Sequence, residues 1–222
     1  TDVVDFIDLH ACLPDHFGDR YWLTDRNFYG NFREQIEKAC GYWADEKSAR
    51  LYQDTLRFGT TGDESGLLDP DIHHQYFPLD ITPLQNWIRR NPLRLIDCGA
   101  CVGDTLKHIR EQQYPTDSIA CFEPDPANYQ KLSQEVLNGP MPPSGATLIP
   151  CGVSSRFEVL RFASAQGAAS AISESGDLSI TCLAIDQALP NFRPTFIRMD
   201  VEGAEIAALR GASETIRTNR PC

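Results

Sequence analysis

The junction Leu95-Ile96-Asp97-Cys98-Gly99-Ala100-Cys101-Val102-Gly103-Asp104 constrains this chain more than any other stretch. An apolar run from Leu93 to Ile96 stops at an acid. A loop with glycines at Gly99 and Gly103 follows, and helical spacing begins at Leu106 and Ile109. Strand, glycine turn and helix is the geometry that lays a nucleotide-like ligand across a sheet edge. The missing Cβ atoms allow close backbone approach, and positive φ is expected at the glycines. Many strand-to-helix turns carry glycine, so the junction needs support from elsewhere in the chain.

A second acid supplies it. Ser118-Ile119-Ala120-Cys121-Phe122 reads as the next strand and ends at Glu123-Pro124-Asp125-Pro126. In a doubly wound sheet the tip of the second strand lies beside the glycine loop, where a carboxylate can accept both hydroxyls of an adenosine ribose. Asp125 has a plainer use as a helix N-cap, with Pro126 in the first turn. The two uses are compatible: Asp125 caps, and Glu123 is left at the strand tip.

With 222 residues, 41% of them hydrophobic, the chain can bury one substantial domain with an appendage. No apolar run is long enough to cross a bilayer, and Thr1-Asp2-Val3-Val4-Asp5 lacks the basic start of a signal peptide. A formal net charge of -11 argues against non-specific nucleic-acid binding, which needs clustered Lys and Arg. Arg89, Arg90 and Arg94 come nearest to such a cluster and read as a solvated helix end and strand start. The eight cysteines are scattered, several in apolar strand contexts (Cys121, Cys151, Cys182), which fits free thiols in a cytoplasmic protein. Cys98-Gly99-Ala100-Cys101 has the spacing of a redox motif. The continuing glycine pattern, the acid directly before Cys98 and the acid on the next strand argue against that use. Zinc lacks a second such pair.

Residues 1–90 differ from the rest and read as a helical lid or substrate segment. Tyr21-Trp22-Leu23 and Phe28-Tyr29 are aromatic. Residues 31–41 and 45–58 have helical spacing, with Leu51, Thr55 and Phe58 on one face of the second. A loop is expected from Gly59 to Pro70 and a helix over 83–90. His73 and His74 are adjacent and point apart, poor geometry for one metal. Gln75 and Tyr76 are candidates to line a pocket. Residues 91–222 alternate strand and helix: helices at 104–112 and 126–138, and a third strand from Thr147 to Val153. Phe157–Phe162 and Ser179–Ile185 form a two-stranded excursion around an Ala-, Ser- and Gly-rich loop at 163–176. A fourth main strand, Thr195–Met199, ends in Asp200-Val201-Glu202-Gly203. The helix after it is expected to bury Ile206, Leu209 and Ile216.

Four of these pieces, 95–105, Phe-Glu-Pro-Asp-Pro-Ala-Asn-Tyr (122–129), Cys-Gly-Val-Ser (151–154) and Ile-Arg-Met-Asp-Val-Glu-Gly-Ala-Glu (197–205), resemble the FkbM family of S-adenosylmethionine-dependent methyltransferases. The last is the most family-specific; the first two fit almost any class I methyltransferase. The resemblance implies an α/β, Rossmann-like doubly wound sheet with S-adenosylmethionine as cofactor. It puts Gly99, Ala100 and Gly103 beneath the cofactor, Asp97 toward its methionine amino group, and Glu123, followed by Pro124, on the ribose. Cys151, Gly152 and Val153 then lie near the adenine, and Asp200 and Glu202 face the reacting end. The family's strand order, 3-2-1-4-5-7-6, predicts a sheet cut off after strand 4 and its helix. Either strands 5 to 7 lie beyond Cys222, or a partner such as a second copy covers the edge of strand 4, which would otherwise invite aggregation.

Family members are associated with O-methylation of sugars, polyketides and other small natural products, so the resemblance implies a small hydroxylated acceptor. An alcohol is a poor nucleophile and a base helps it. Asp200 and Glu202, on the same side of an extended strand, are the candidates. Their plainer uses are helix N-terminus stabilisation and a solvated charge. A carboxylate pair can bind Mg²⁺, but nothing here demands a metal. Two rivals remain: a nucleotide-dependent oxidoreductase, which would want a tighter G-x-G-x-x-G turn, and a catalytically silent binding or assembly module.

Overall fold

The computed structural model of the protein describes residues 26–43, 45–67, 77, 81–163, 171–172, 176 and 178–222, with backbone alone for 26–28 and 171–172. The expectations for Tyr21-Trp22-Leu23, His73, His74, Gln75, Tyr76 and most of the 163–176 loop lie outside these residues. The chain divides into two compact units, Thr1–Gln75 and Tyr76–Cys222.

In the first unit, helices α1 (Arg26–Asn31), α2 (Arg33–Cys40) and α3 (Glu46–Thr61) are described. Asp45 caps α3 by accepting from the Ser48 N–H at 2.8 Å. The loop expected from Gly59 starts later. Gly59 stays helical beneath the Tyr29 ring, whose hydroxyl a Cβ there would meet at 2.0 Å, and α3 ends instead on left-handed Gly62. The face predicted for α3 is also displaced. Leu51 is exposed, and Asp54 is the buried residue, paired with Arg57 at 2.9 Å.

The second unit begins before residue 91. Helix α4 (Thr82–Arg90), read from sequence as part of the lid segment, packs Ile88 into the same core as Leu93 and Leu95. Gln85 of α4 accepts from the Tyr114 hydroxyl at 2.8 Å and donates to the Phe77 carbonyl at 3.1 Å. The main sheet contains β1 (Leu93–Cys98), β2 (Thr116–Phe122), β3 (Ala146–Ile149) and a strand here called β8 (Phe196–Met199) because four strands intervene along the chain. All pairings are parallel and the spatial order is β3-β2-β1-β8. This is the expected 3-2-1-4 arrangement. The outer edge of β8 carries Cys222, whose N–H donates to the Thr195 carbonyl and whose carbonyl accepts from the Ile197 N–H, at 3.0 and 2.9 Å.

Two-residue alternation sends the strand side chains to two cores. Leu93, Leu95, Ile119 and Cys121 pack with α5 (Asp104–Glu111) and α6 (Pro126–Asn138) through Leu106, Ile109, Leu132 and Val136. Ile96, Cys98, Ala120 and Phe122 pack on the opposite face with Val153, Ile185, Ala208 and Ala212. Strands covered on both faces read as unbroken apolar runs, which is why β1 and β2 were legible.

Three expectations in this unit change. The third strand splits: β3 ends at Ile149 in the main sheet, and β4 (Gly152–Val153) belongs to a second sheet. Pro150 between them has no N–H to donate to a ladder. The two-stranded excursion is a four-stranded sheet. In it β5 (Glu158–Ala163) and β7 (Leu178–Leu183) pair antiparallel, β6 (Ala171–Ile172) flanks β5, and β4 runs parallel to β7. After the short helix α7 (Ile185–Ala188) and β8, the final helix is two pieces, α8 (Glu205–Gly211) and α9 (Ser213–Asn219). Ile206 and Leu209 are exposed; small residues Ala208, Gly211 and Ala212 face inward instead. A Cβ on Gly211 would lie 2.0 Å from the Ser154 carbonyl oxygen, so close approach selects small residues there.

Candidate active site

The carboxyl ends of β1, β2 and β8 meet around the glycine loop, where ligands bind in open α/β sheets. The loop alternates into left-handed backbone at Gly99 (φ 78), Cys101 (φ 48) and Gly103 (φ 90). The N–H groups of Gly99 and Ala100 both donate to the Phe122 carbonyl at 3.0 Å, which ties the loop to β2. Gly99 is required by its neighbour: a Cβ would fall 1.9 Å from the Asp200 carbonyl oxygen. Gly103 is the N-cap position of α5, and a Cβ would press on Glu135 of α6 at 3.0 Å. Ala100 is wholly buried in the core beside α5, so only its backbone faces the loop.

Glu123 is 5% exposed and uses both carboxylate oxygens on backbone: Oε2 accepts from the Cys101 N–H at 2.7 Å and Oε1 from the Asp125 N–H at 2.8 Å. Burial pushes its pKa up to about 7 against the pull of those two N–H groups. A carboxylate offers about four acceptor sites; the Asn128 side chain takes a third, which leaves room for a further donor. Asp125 is indeed the N-cap of α6, accepting from the Ala127 and Asn128 N–H groups at 2.9 and 3.1 Å.

Asp97 has no exposed surface. Its Oδ1 accepts from Arg198 Nη1 at 3.1 Å; Oδ2 makes no hydrogen bond of normal geometry among the described residues, although the Thr105 hydroxyl, likewise unpaired, lies close enough to favour the charged carboxylate. Burial raises its pKa to about 6, opposed by the Arg198 charge. Arg198 is the residue at this junction that sequence reading passed over. Its Nη1 also donates to the Gly99 carbonyl at 2.6 Å, and its Nη2 pairs with Asp200 Oδ2 at 2.7 Å. The signal was available: a charge inside Phe-Ile-Arg-Met, an otherwise apolar strand, needs a buried partner. The parallel register sets Arg198 opposite Asp97.

The argument that put Asp200 and Glu202 on one side of an extended strand fails, because β8 ends at Met199. The chain then turns through left-handed Glu202 (φ 51) and Gly203 (φ 97), with Glu205 Oε1 accepting from the Val201 and Gly203 N–H groups. Glu202 is exposed and still close enough to Asp200 to feel it: burial, then the Asp200 and Glu205 charges, raise its pKa. In the 151–153 segment, Gly152 meets Pro124 and β7: a Cβ there would lie 2.8 Å from Cys182 Sγ and 3.9 Å from Pro124 Cβ. Cys151 is half-buried and Val153 is a core residue. Cys98 is fully buried and its thiol pKa is pushed far up, which suits packing and not thiolate chemistry. Among the described residues no group of three or more His, Cys, Asp or Glu side chains gathers to hold a metal. No described helix is long and apolar enough to cross a membrane.

A parallel sheet ordered 3-2-1-4, with acids at the tips of strands 1, 2 and 4 around a glycine loop, defines a Rossmann-like fold of the class I methyltransferase kind. Residues 97–222 match the family described as the methyltransferase FkbM domain, and the chain belongs to that family. It is similar in fold to the crystal structure of methyltransferase FkbM from Methylobacillus flagellatus KT, with a TM-score of 0.68 and 22% identity. That match covers 88% of this chain and 48% of the other, so this chain spans about half of the solved protein's length. No curated protein matches. Family membership favours methyl transfer over the oxidoreductase and silent-module readings.

Proposed function

We propose that this chain is an S-adenosylmethionine-dependent methyltransferase that O-methylates a hydroxyl on a sugar, polyketide or other small natural product. The observation that carries this reading is Glu123, a buried carboxylate at the tip of β2 that grips the glycine loop through the Cys101 N–H and keeps acceptor capacity for a hydroxyl donor. Asp97 supports it, because a buried carboxylate oxygen that makes no hydrogen bond of normal geometry suits an ammonium group. When bound, the cofactor supplies an electrophilic sulfonium methyl for in-line displacement.

Every other task falls to this chain's residues. Glu123 holds the ribose, Asp97 the amino group, and the 99–103 backbone the space between them. Pro124 with Cys151, Gly152 and Val153 borders the base. Glu202 is the better placed of the two candidate bases, since Asp200 is engaged by Arg198 and the pKa of Glu202 is raised, the direction a general base needs. The free cysteines suit a reducing, cytoplasmic setting.

The test is incubation with methyl-labelled S-adenosylmethionine and a panel of hydroxylated acceptors, read by label transfer and mass. Label on an acceptor hydroxyl supports the reading. Label on nitrogen or carbon only, or none with a chain that binds the cofactor, counts against O-methylation.

A further inference from the structure

Arg198 carries three contacts from one guanidinium. Nη1 reaches Asp97 at the end of β1 and the Gly99 carbonyl in the glycine loop, and Nη2 reaches Asp200 after β8. The side chain is 11% exposed and the Asp97 carboxylate is fully buried, so both charges depend on this geometry for compensation. The bond to Gly99 matters most for the loop. That carbonyl belongs to the residue whose N–H is tied to Phe122, so Arg198 fixes one side of the Gly99 peptide chain and β2 the other. A planar fork spans three acceptors in fixed directions, which a lysine ammonium on a flexible stem does not.

We propose that Arg198 is a positioning residue of the cofactor site, holding the end of β1, the glycine loop and the acid after β8 in one arrangement. It touches no reacting atom and acts through Asp97 and the loop. Its effect on cofactor affinity rests on the function proposed above; its hold on the loop does not.

The experiment compares the full chain with Arg198→Met and Arg198→Lys at a temperature where far-ultraviolet dichroism shows each folded. Hydrogen exchange is read over 98–104 and, as an internal reference, over β2 at 116–122. S-adenosylhomocysteine affinity is measured on the same samples. In Arg198→Met, exchange over 98–104 should rise about tenfold relative to β2, and affinity should fall about tenfold or more. Arg198→Lys should recover part of both. Loop exchange that merely tracks β2 in folded Arg198→Met overturns the proposal, as does unchanged affinity. A wild-type chain that fails to bind S-adenosylhomocysteine, with a loop that still loosens in Arg198→Met, defeats the cofactor reading and upholds the hold on the loop. If Arg198→Met does not fold, Arg198→Lys decides by the same readouts, unchanged exchange over 98–104 overturning the proposal.

Discussion

Replacing Gly99 by alanine should destabilise the second unit more than a glycine-to-alanine change at a left-handed position with open surroundings. Two costs combine. At φ 78 an alanine sits in left-handed backbone, which costs roughly 1–2 kcal/mol. Its Cβ would also lie 1.9 Å from the Asp200 carbonyl oxygen, where real Cβ atoms essentially never come within 3.0 Å. The end of β8 must therefore retreat by about 1 Å, straining the bond from the Asp200 N–H to the Cys98 carbonyl; such overpacking costs roughly 1–3 kcal/mol. The sum, ~2–5 kcal/mol, corresponds to a fall in Tm of about 4–20 °C for a domain of this size. Gly145→Ala is the control. Its φ is 93 but a Cβ there has nothing within 4 Å, so only the dihedral cost applies. A fall of about 2–8 °C is expected for it. Both changes reduce unfolded-chain entropy alike, so their difference isolates the clash. Thermal unfolding by circular dichroism reads it. A Gly99→Ala protein within about 2 °C of Gly145→Ala would refute the close-contact argument.

Other outcomes follow from the acids. Asp97 and Glu123 have folded pKa values raised to about 6 and about 7 from 3.8 and 4.5, so the native state binds more protons than the unfolded chain in between. Their stabilising contribution is complete below about pH 4 and is lost as pH rises through 7, an effect of a few kcal/mol readable by urea titration; a contribution that grows with pH in this window would contradict it. Cofactor affinity should run the other way, rising as Glu123 ionises through about pH 7, and a flat profile between pH 5.5 and 8.5 would remove Glu123 from the ribose. Glu123→Gln puts an amide donor against one of two backbone N–H donors, so a loss of about 1–3 kcal/mol in stability is expected by chemical denaturation. Glu202→Gln should slow methyl transfer about a hundredfold while leaving S-adenosylhomocysteine affinity unchanged, checked by single-turnover kinetics.

The main sheet was legible because its inner strands, buried on both faces, read as apolar runs. Ile96, Cys98, Ala120 and Phe122 alternate with Leu95, Ile119 and Cys121, and turn residues punctuate the runs. The helix after β8 was misread on its buried face because hydropathy favours Ile206 and Leu209. The contact with the Ser154 carbonyl instead demands Gly211 and its small neighbours, which carry little hydropathy signal. Pro150 was absorbed into an apolar run although its missing N–H splits the strand between two sheets. The places of Asp97, Glu123 and the glycines at the strand ends were readable from the end of each apolar run. Arg198 could be flagged as a charge in an apolar strand, but its partner could not be named, because that partner lies across the sheet register, about a hundred residues away. The alternation argument for Asp200 and Glu202 ignored Gly203, whose positive φ marks the turn.

The central claim is a cofactor site built on Glu123, and calorimetric titration of S-adenosylhomocysteine tests it most directly. The account predicts one site per chain, with affinity weakened about tenfold or more in Glu123→Ala. A folded chain that takes up no S-adenosylhomocysteine, or a Glu123→Ala variant that binds it as tightly as the parent, would contradict it.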